Sequence, residues 1–581
     1  MAQEKTETRN SMRINWDAPI LMDDGIELRC DVFRPVADGK YPVIMAMGAY
    51  AKLLPFAHAH KEAWDRMAAA YPEVSEGTSN SFQNWEVVDP EKWIPDGYAC
   101  VRVDSRGSGR SPGVLNPWGP REIRDYHDCV EWAARQSWCN GKIGLCGISY
   151  LARTQWYVSA LKPPHLAAIC VWEGAADCYR DITHHGGIVS DFMLSVFPRQ
   201  ILTVQHGKGE RGPKSSINGE LVAGPETLSD EELAANREDM EKWIIAHPLD
   251  DEVHKERTPA WENVQVPLLS AANWGGMGLH PRGNFEGYVH AASREKWLEV
   301  HGDTHWTHFY TNHGLGLQKR FFGHFLKGED TGWTKQPPVQ LQVRHIDRYV
   351  VREEKEWPLA RTQWSRFYLD PGGMQLSRLP STGTMALRYD ALGEGLLFVT
   401  GPFETETEIT GPVAAKLFVS SSTSDADLFL GVHLFRRDGN EVTFLGANDP
   451  HVPVAQGWLR ASHRKLDAAR SLPYRPYHSH DEIQPLVPGE PVELDIEIWP
   501  TSVVVPAGYR LGLTVRGKDI TPNDPATELD GVFYKRHANI GPFKHNHPLD
   551  RPPEMFGGTN TLHVSDRQPA YLLLPIIPAG S

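Results

Sequence analysis

Seven cysteines in 581 residues, all between Cys30 and Cys178, leave everything after that point without a thiol. The number is odd and no Cys-x-x-Cys pair occurs, which argues against a disulfide framework and for reduced core thiols in a cytoplasmic protein. Runs of apolar residues long enough to span a bilayer are missing, since about 20 in a row are needed. The first ten residues, Met-Ala-Gln-Glu-Lys-Thr-Glu-Thr-Arg-Asn, lack the apolar centre of a secretory signal. An excess of positive charge is missing too: the net charge of −15 offers nucleic acid no basic face. The glycine-rich residues 104–113 do not end in Gly-Lys-Ser/Thr, so they read as a structural turn and not as a phosphate cradle. There are no repeats and no low-complexity tract.

What is present is the composition of an ordinary soluble protein with a sizeable core. Residues 20–35 read as a hairpin turning at Asp24-Gly25. Apolar runs at 41–47, 98–103, 143–146 and 166–172 read as strands buried on both faces. Residues 121–136 read as a helix with Ile123, Tyr126, Val130 and Ala134 on one face. Strands alternating with helices predict a mostly parallel sheet, with chemistry beyond the carboxyl ends of its strands. Residues 55–95 look like an irregular insertion. From 177 to 259 the alternation stops: Ser229-Asp-Glu-Glu232 is a capping box, and Leu233, Met240, Trp243 and Ile244 follow at helical spacing. This predicts a helical insertion over the active edge of the sheet. The sheet resumes at 266–271 and 297–300, and 315–326 is a closing helix. After about residue 335 alternating strands dominate, and 360–581 reads as an all-β sandwich.

The chain is organised around residues 141–152. A short apolar run ends at Gly147, Ser149 follows, and then a helical stretch begins. That is a strand, a tight turn with a serine at its apex, and a helix whose N-terminus lies behind the hydroxyl. The alternative is a serine that merely caps the helix. A nucleophile needs a base, and the strand at 297–300 is followed by His301-Gly-Asp-Thr-His305, where His305 has the order and position of one. A rival reading makes His301, His305, His308 and His313 zinc ligands, although no carboxylate or fourth ligand is placed for it.

These features come with further motifs: Asp31-Val-Phe-Arg-Pro35, Asp104-Ser-Arg-Gly107, Gly147-Ile-Ser149-Tyr150, Phe325-Leu-Lys-Gly328, Asp425-Ala-Asp427 and Gly457-Trp-Leu-Arg-Ala-Ser462. In these, and in their order, the chain resembles the family of cocaine esterase, α-amino-acid ester hydrolase and Xaa-Pro dipeptidyl-peptidase. The resemblance implies an α/β-hydrolase domain (1–176 and 260–345), a helical cap (177–259) and a C-terminal jelly-roll β-sandwich of the galactose-binding type (346–581). It further implies Ser149 as nucleophile and His305 as base, with the Tyr50 hydroxyl and the backbone N–H of Tyr150 holding the oxyanion. Fold analogy alone gives the jelly-roll no ligand.

The chain departs from the family at the acid. Gly276 stands in Ala272-Asn-Trp-Gly-Gly276 where the family carries an aspartate. Glu173, at the end of the strand next to the serine strand, is the preferred substitute, ahead of Asp303 and Glu286. Trp156, Trp172, Trp274 and Trp306 are candidates to line an acyl pocket. The expectation is a serine hydrolase of a small-molecule ester or acyl amide, working through an acyl-enzyme without metal or cofactor. Xaa-Pro dipeptide release is the alternative, and a weakly catalytic binding protein is the alternative from another class. Nucleic acid and membrane are not expected as partners; a homo-oligomer is compatible with the sequence.

Overall fold

The computed structural model describes residues 5–522 and 524–580. Its first sheet contains β1 (Lys5–Arg9), β2 (Met12–Leu21), β3 (Glu27–Pro35), β4 (Tyr41–Gly48), β5 (Ala99–Asp104), β6 (Cys139–Ile148) and β7 (Leu166–Trp172). It continues with β8 (Leu268–Asn273), β9 (Lys296–His301), β10 (Val339–Arg344) and β11 (Tyr349–Glu354). The order across the sheet is β1-β2-β3-β5-β4-β6-β7-β8-β9-β10-β11. The run from β5 to β10 is parallel, and the remaining strands are joined antiparallel at the two ends.

Parallel neighbours need crossovers, and four helices stand out among them: α1 (Pro120–Ala134), α2 (Tyr150–Ala160), α3 (Pro281–His290) and α4 (Asn312–Phe322). Side chains alternate along each strand, so β6 serves two cores. Ile143 and Leu145 pack with Tyr126, Val130 and Trp156, whereas Cys146 and Ile148 pack with Phe321 and Phe322. Full burial of each such apolar side chain is worth about 1.5–3 kcal/mol. This two-sided demand explains why the strands read as unbroken apolar runs. One strand is placed differently from expectation: β11, within the residues assigned to the sandwich, pairs along its whole length with β10 in the first sheet.

The rest of the chain after β11 is all β. A second sheet runs from Met385–Asp390 through Thr559–Val564 and Thr407–Ser421 to Gln363–Asp370 and Tyr571–Ile577. Tyr571–Ile577 also pairs with Thr407–Ser421, which closes the sheet in the manner of a barrel. Val432, Leu434, Leu494, Ile496 and Leu513 fill its interior. Among the described residues no helix is long and apolar enough to cross a membrane.

The segment between β7 and β8 carries the expected capping box at Ser229, with short helices at Asp230–Ala235 and Met240–Ala246. It meets the β domain through buried histidines. Tyr179 stacks on His184 and also contacts His254 and His480; His480 in turn contacts His463 and His478. Arg180 ties the same junction by donating to Asp177, Asp250 and the His478 carbonyl. Burial holds these five imidazoles below their ordinary range, His254 at about 4 and His463 and His478 at about 3. The native protein therefore keeps them neutral while an unfolded chain takes up protons below pH 6.5. Their contribution is intact above pH 6.5 and falls as the pH drops, by about 1.4 kcal/mol per histidine per pH unit. Urea unfolding is expected to show a steep loss of stability between pH 6.5 and 5, before most carboxylates titrate. A midpoint that stays flat over that window would contradict this.

Candidate active site

Ser149 sits between β6 and α2 with φ 56° and ψ −114°, a left-handed backbone that a non-glycine residue adopts only where its surroundings impose it. The surroundings do so. The Ser149 N–H donates to the Trp172 carbonyl of β7 (3.1 Å), and its own carbonyl accepts from Arg153 (2.7 Å). Gly147 and Gly48 make the close approach of α2 feasible: a Cβ at Gly147 would lie 2.7 Å from Leu151 Cβ, and one at Gly48 2.3 Å from Leu151 Cδ2. The serine hydroxyl is thus lifted above the sheet by packing on both sides of the turn.

The Ser149 hydroxyl and Nε2 of His280 are hydrogen-bonded at 3.0 Å. His280 lies in the loop after β8, at the start of α3, and is buried. Burial, reinforced by the charge on His305, holds it well below the usual imidazole range, so its ring is neutral and Nε2 can accept. Its other nitrogen, Nδ1, has no hydrogen-bond partner and stands 3.9 Å from Glu173 Oε2.

Glu173 follows β7 directly, with φ 48°, and is fully buried. Burial would raise its carboxyl, but His305 and His301 outweigh this and hold it at about 2. Its Oε2 accepts from His305 Nδ1 at 2.7 Å, and its Oε1 accepts from His301 Nε2 at 3.2 Å and Asn273 Nδ2 at 3.1 Å. His305 donates its second N–H to Glu86 at 3.0 Å. Against the effect of burial, Glu173 and Glu86 push His305 up to about 10, so it is an imidazolium. The His305 and His280 rings stack 4.7 Å apart and 6° from parallel.

Of the three carboxylates weighed from sequence, Glu173 is the one brought to the histidines. Asp303 accepts from the Tyr71 hydroxyl (2.6 Å), and Glu286 pairs with Arg475 (2.6 Å). The hydrogen bond to Ser149 expected of His305 is instead made by His280. The imidazole of His305 is one ring further back, turned between two carboxylates.

Glu173, His280 and His305 offer atoms within 4.8 Å of one another, the spacing of a metal site. Their chemistry does not suit one, because both His305 nitrogens donate to carboxylates and have no lone pair to give. Of the zinc set considered from sequence, His301 is equally occupied, by Glu173 and Glu299.

Tyr50 and Ser149 line one small cavity, with about 330 Å³ of space including its open mouth. Its walls include Trp118 and, from the segment after β7, Ile182, Phe192, Met193 and Ile201. Burial and the nearby Glu86 keep the Tyr50 hydroxyl protonated, and its ring leans on Tyr150 at 5.3 Å. The Tyr150 hydroxyl is spent on Glu122 (2.7 Å), but its backbone N–H opens α2 beside Ser149 and has no partner within the helix. The tryptophans expected to line the pocket do not. Strand alternation turns Trp172 into the core against His301 and Phe309, Trp156 packs in the opposite core, and Trp274 packs with Phe285 and Trp357. Trp306 lines a separate cleft with Tyr71 and Leu445.

The β domain reaches into the site. Its hairpin loop at 444–452 lies so close to the loop after β8 that a Cβ at Gly275 would come within 2.4 Å of Gly446. The Ala447 N–H donates to the Gly275 carbonyl, and the Ala447 carbonyl accepts from the His305 N–H, each at 3.0 Å.

Sequence reasoning missed His280 and Glu86. A signal for the first existed: once Gly276 vacates the acid position, His280 is the nearest titratable residue in the same loop.

The model of the X-Pro dipeptidyl-peptidase (S15) family matches residues 24–310, and that of the X-Pro dipeptidyl-peptidase C-terminal non-catalytic domain matches 331–573. Cocaine esterase of Rhodococcus sp. (strain MB1 Bresler) is 25% identical over 96% of this chain and 97% of its own length. The crystal structure of a CocE/NonD family hydrolase from Staphylococcus aureus superposes with a TM-score of 0.82 at 33% identity, covering 98% of this chain and 94% of the other. An α-amino acid ester hydrolase shares the fold, with a TM-score of 0.65 at 16% identity over 99% of this chain and 98% of its own.

Proposed function

Because this chain belongs to the CocE/NonD family of hydrolases, we propose that it cleaves a small carboxylic ester or acyl amide through an acyl-enzyme on Ser149. The observation that carries this is the 3.0 Å hydrogen bond from a strained, cavity-lining serine to a neutral histidine. In this reading His280 Nε2 takes the hydroxyl proton as Ser149 Oγ attacks the carbonyl carbon. The developing oxyanion is held by the Tyr50 hydroxyl and the Tyr150 N–H. His280 then returns the proton to the leaving alcohol or amine, and water, deprotonated by the same ring, releases the acid. Glu173 stabilises the transient His280 imidazolium, closing the 3.9 Å gap as the charge forms. His305 and Glu86 hold Glu173 in place.

The architecture is read as an α/β-hydrolase domain, a helical cap over residues 177–259 and a jelly-roll-like barrel, with β11 counted in the first domain. For the Xaa-Pro dipeptidyl-peptidase reading, a carboxylate is needed for the substrate's amino terminus. The cavity wall has none and carries Arg153, which favours the esterase or amidase reading.

A fluorophosphonate probe is expected to label the protein at Ser149 and to leave Ser149→Ala untouched; labelling that persists in the variant would refute the mechanism. Tyr50→Phe is expected to lower kcat by about 10²–10³ with little change in KM, as loss of one oxyanion donor does. A kcat within a few-fold of the parent would remove Tyr50 from the hole.

A further inference from the structure

Asn273 is the last residue of β8, fully buried and paired in register with His301 on β9. Its side-chain amide is used at both ends. Nδ2 donates to Glu173 Oε1 at 3.1 Å and to the Asp303 carbonyl at 2.8 Å, and Oδ1 accepts from the Gly275 N–H at 2.8 Å. These partners fix which way round the amide lies, because a carboxylate and a carbonyl can only accept and a backbone N–H can only donate. One side chain therefore joins the residue after β7, the loop after β9 two positions before His305, and the start of the loop that leads to His280. Asp303 has φ 87°, a left-handed backbone for a non-glycine residue, and its carbonyl is turned to Asn273. Gly275, whose N–H the amide holds, is also the residue whose carbonyl receives the Ala447 N–H from the β domain. The loop in which Gly276 stands for the family's aspartate thus still delivers a polar side chain to the site, three residues earlier. Without it, Glu173 Oε1 would keep only His301 as donor, and the carboxylate could rotate, moving Oε2 relative to His305 and His280.

We infer that Asn273 is a positioning residue for catalysis: it sets the rotation of the Glu173 carboxylate and the placement of the two histidine loops, and touches neither substrate nor reacting atoms. This rests on the acyl-enzyme reading above, but not on which imidazole is the base, since both lean on Glu173. A misplacement of about 1 Å at a reacting centre costs about 10² in rate. Such a loss falls on kcat, because the substrate cavity is walled by other residues. Asn273→Asp separates this role from mere filling of space. It keeps the shape and the acceptor for the Gly275 N–H, but turns an oxygen toward Glu173 where the amide had a donor. The groups facing the new carboxyl are Glu173, His280, His301 and His305, while the Asp303 carboxylate is turned away to Tyr71. Two carboxyls about 3 Å apart cannot both ionise, so the pair shares a proton up to a raised pH. While that proton is held, the introduced carboxyl can donate to Glu173 in the amide's place; once it is lost, the two repel.

The test is kcat and KM for 4-nitrophenyl acetate between about pH 5.5 and 8.5 on the parent, Asn273→Ala and Asn273→Asp, with a thermal melt of each. Asn273→Ala is expected to lose about 10²-fold in kcat relative to the parent at every pH, with KM within about threefold. Asn273→Asp is expected to show a similar loss at the alkaline end and to regain about tenfold of it toward the acid end. Asn273→Ala with kcat within a few-fold of the parent, or an Asn273→Asp deficit that is flat in pH or grows toward acid, would overturn the inference. Should Asn273→Ala fail to fold, the Asn273→Asp profile decides alone. A parent that neither cleaves the ester nor takes a fluorophosphonate at Ser149 would end the acyl-enzyme reading and this inference with it. A labelled, active parent whose Asn273→Asp deficit does not change with pH would sink the role of Asn273 and spare the serine mechanism.

Discussion

Replacing His280 by asparagine is expected to lower kcat/KM by about 10⁴, roughly 5 kcal/mol of transition-state stabilisation, and to abolish fluorophosphonate labelling of Ser149. Replacing His305 in the same way is expected to cost about 10–10²-fold and to leave labelling in place. The argument is one of geometry and charge. His280 is neutral and its Nε2 is hydrogen-bonded to the serine hydroxyl, from which it can accept when Nδ1 carries the proton, while His305 has both nitrogens committed to carboxylates and is held protonated up to about pH 10. A protonated ring cannot accept the serine proton. The pH profile follows from the same facts: burial keeps His280 neutral through pH 6.5, so the acid limb should lie below the ordinary histidine range. If His305→Asn is the inactive variant and His280→Asn turns over within a few-fold of the parent, the base is His305 and the stacked ring is its support.

The second large effect is expected at Glu173. Its carboxylate faces three imidazoles, and Glu173→Gln removes the charge while keeping the volume. The imidazoliums of His301 and His305 then lose their shared anion in a fully buried place, a change that typically destabilises by about 3–5 kcal/mol. The sign in pH is opposite to that at the histidine junction. His301 and His305 are raised to about 9 and 10, so their stabilisation is full below pH 6.5 and is lost as the pH rises through those values. Glu173→Gln should weaken that alkaline dependence, leaving the part that Glu299 and Glu86 supply, and in the proposed mechanism should lower kcat by about 10³–10⁴, the consequence of leaving His280 without its stabilising anion. Thermal melts from pH 7 to 10 on parent and variant read the first effect, and initial rates the second. A variant with parental kcat and an unchanged alkaline limb would show that the carboxylate does neither job.

Some of this was legible without coordinates because local forces decide it. The strand at 166–172 is observed with those bounds, since a strand covered on both faces must be apolar throughout. Ser149 announces itself because only small residues at 48 and 147 let helix and strand meet there. The capping box at Ser229 is a contact over three residues. The histidine next to the serine was not legible, because it depends on how two loops, after β8 and after β9, fold toward each other. Both carry a histidine within reach of Glu173, and periodicity says nothing about which ring comes forward. Glu86 was hidden for a related reason: it lies in the insertion at 55–95, held at φ 62° by packing that no regular pattern records. Barrel closure, with strands more than 150 residues apart in sequence paired side by side, leaves no local trace either.

The loop at 444–452 gives the barrel a part in turnover that its distance from the serine would not suggest. In the proposed mechanism the loops of the first domain supply every reacting group, yet the loops bearing His280 and His305 are held against the β domain through Gly275–Ala447 and the His305 N–H to Ala447 carbonyl bond. On that mechanism a protein cut between the two would keep Ser149 and lose the backbone contacts that hold the two histidine loops. Substitutions in that hairpin should accordingly be felt as slower chemistry before they are felt as unfolding.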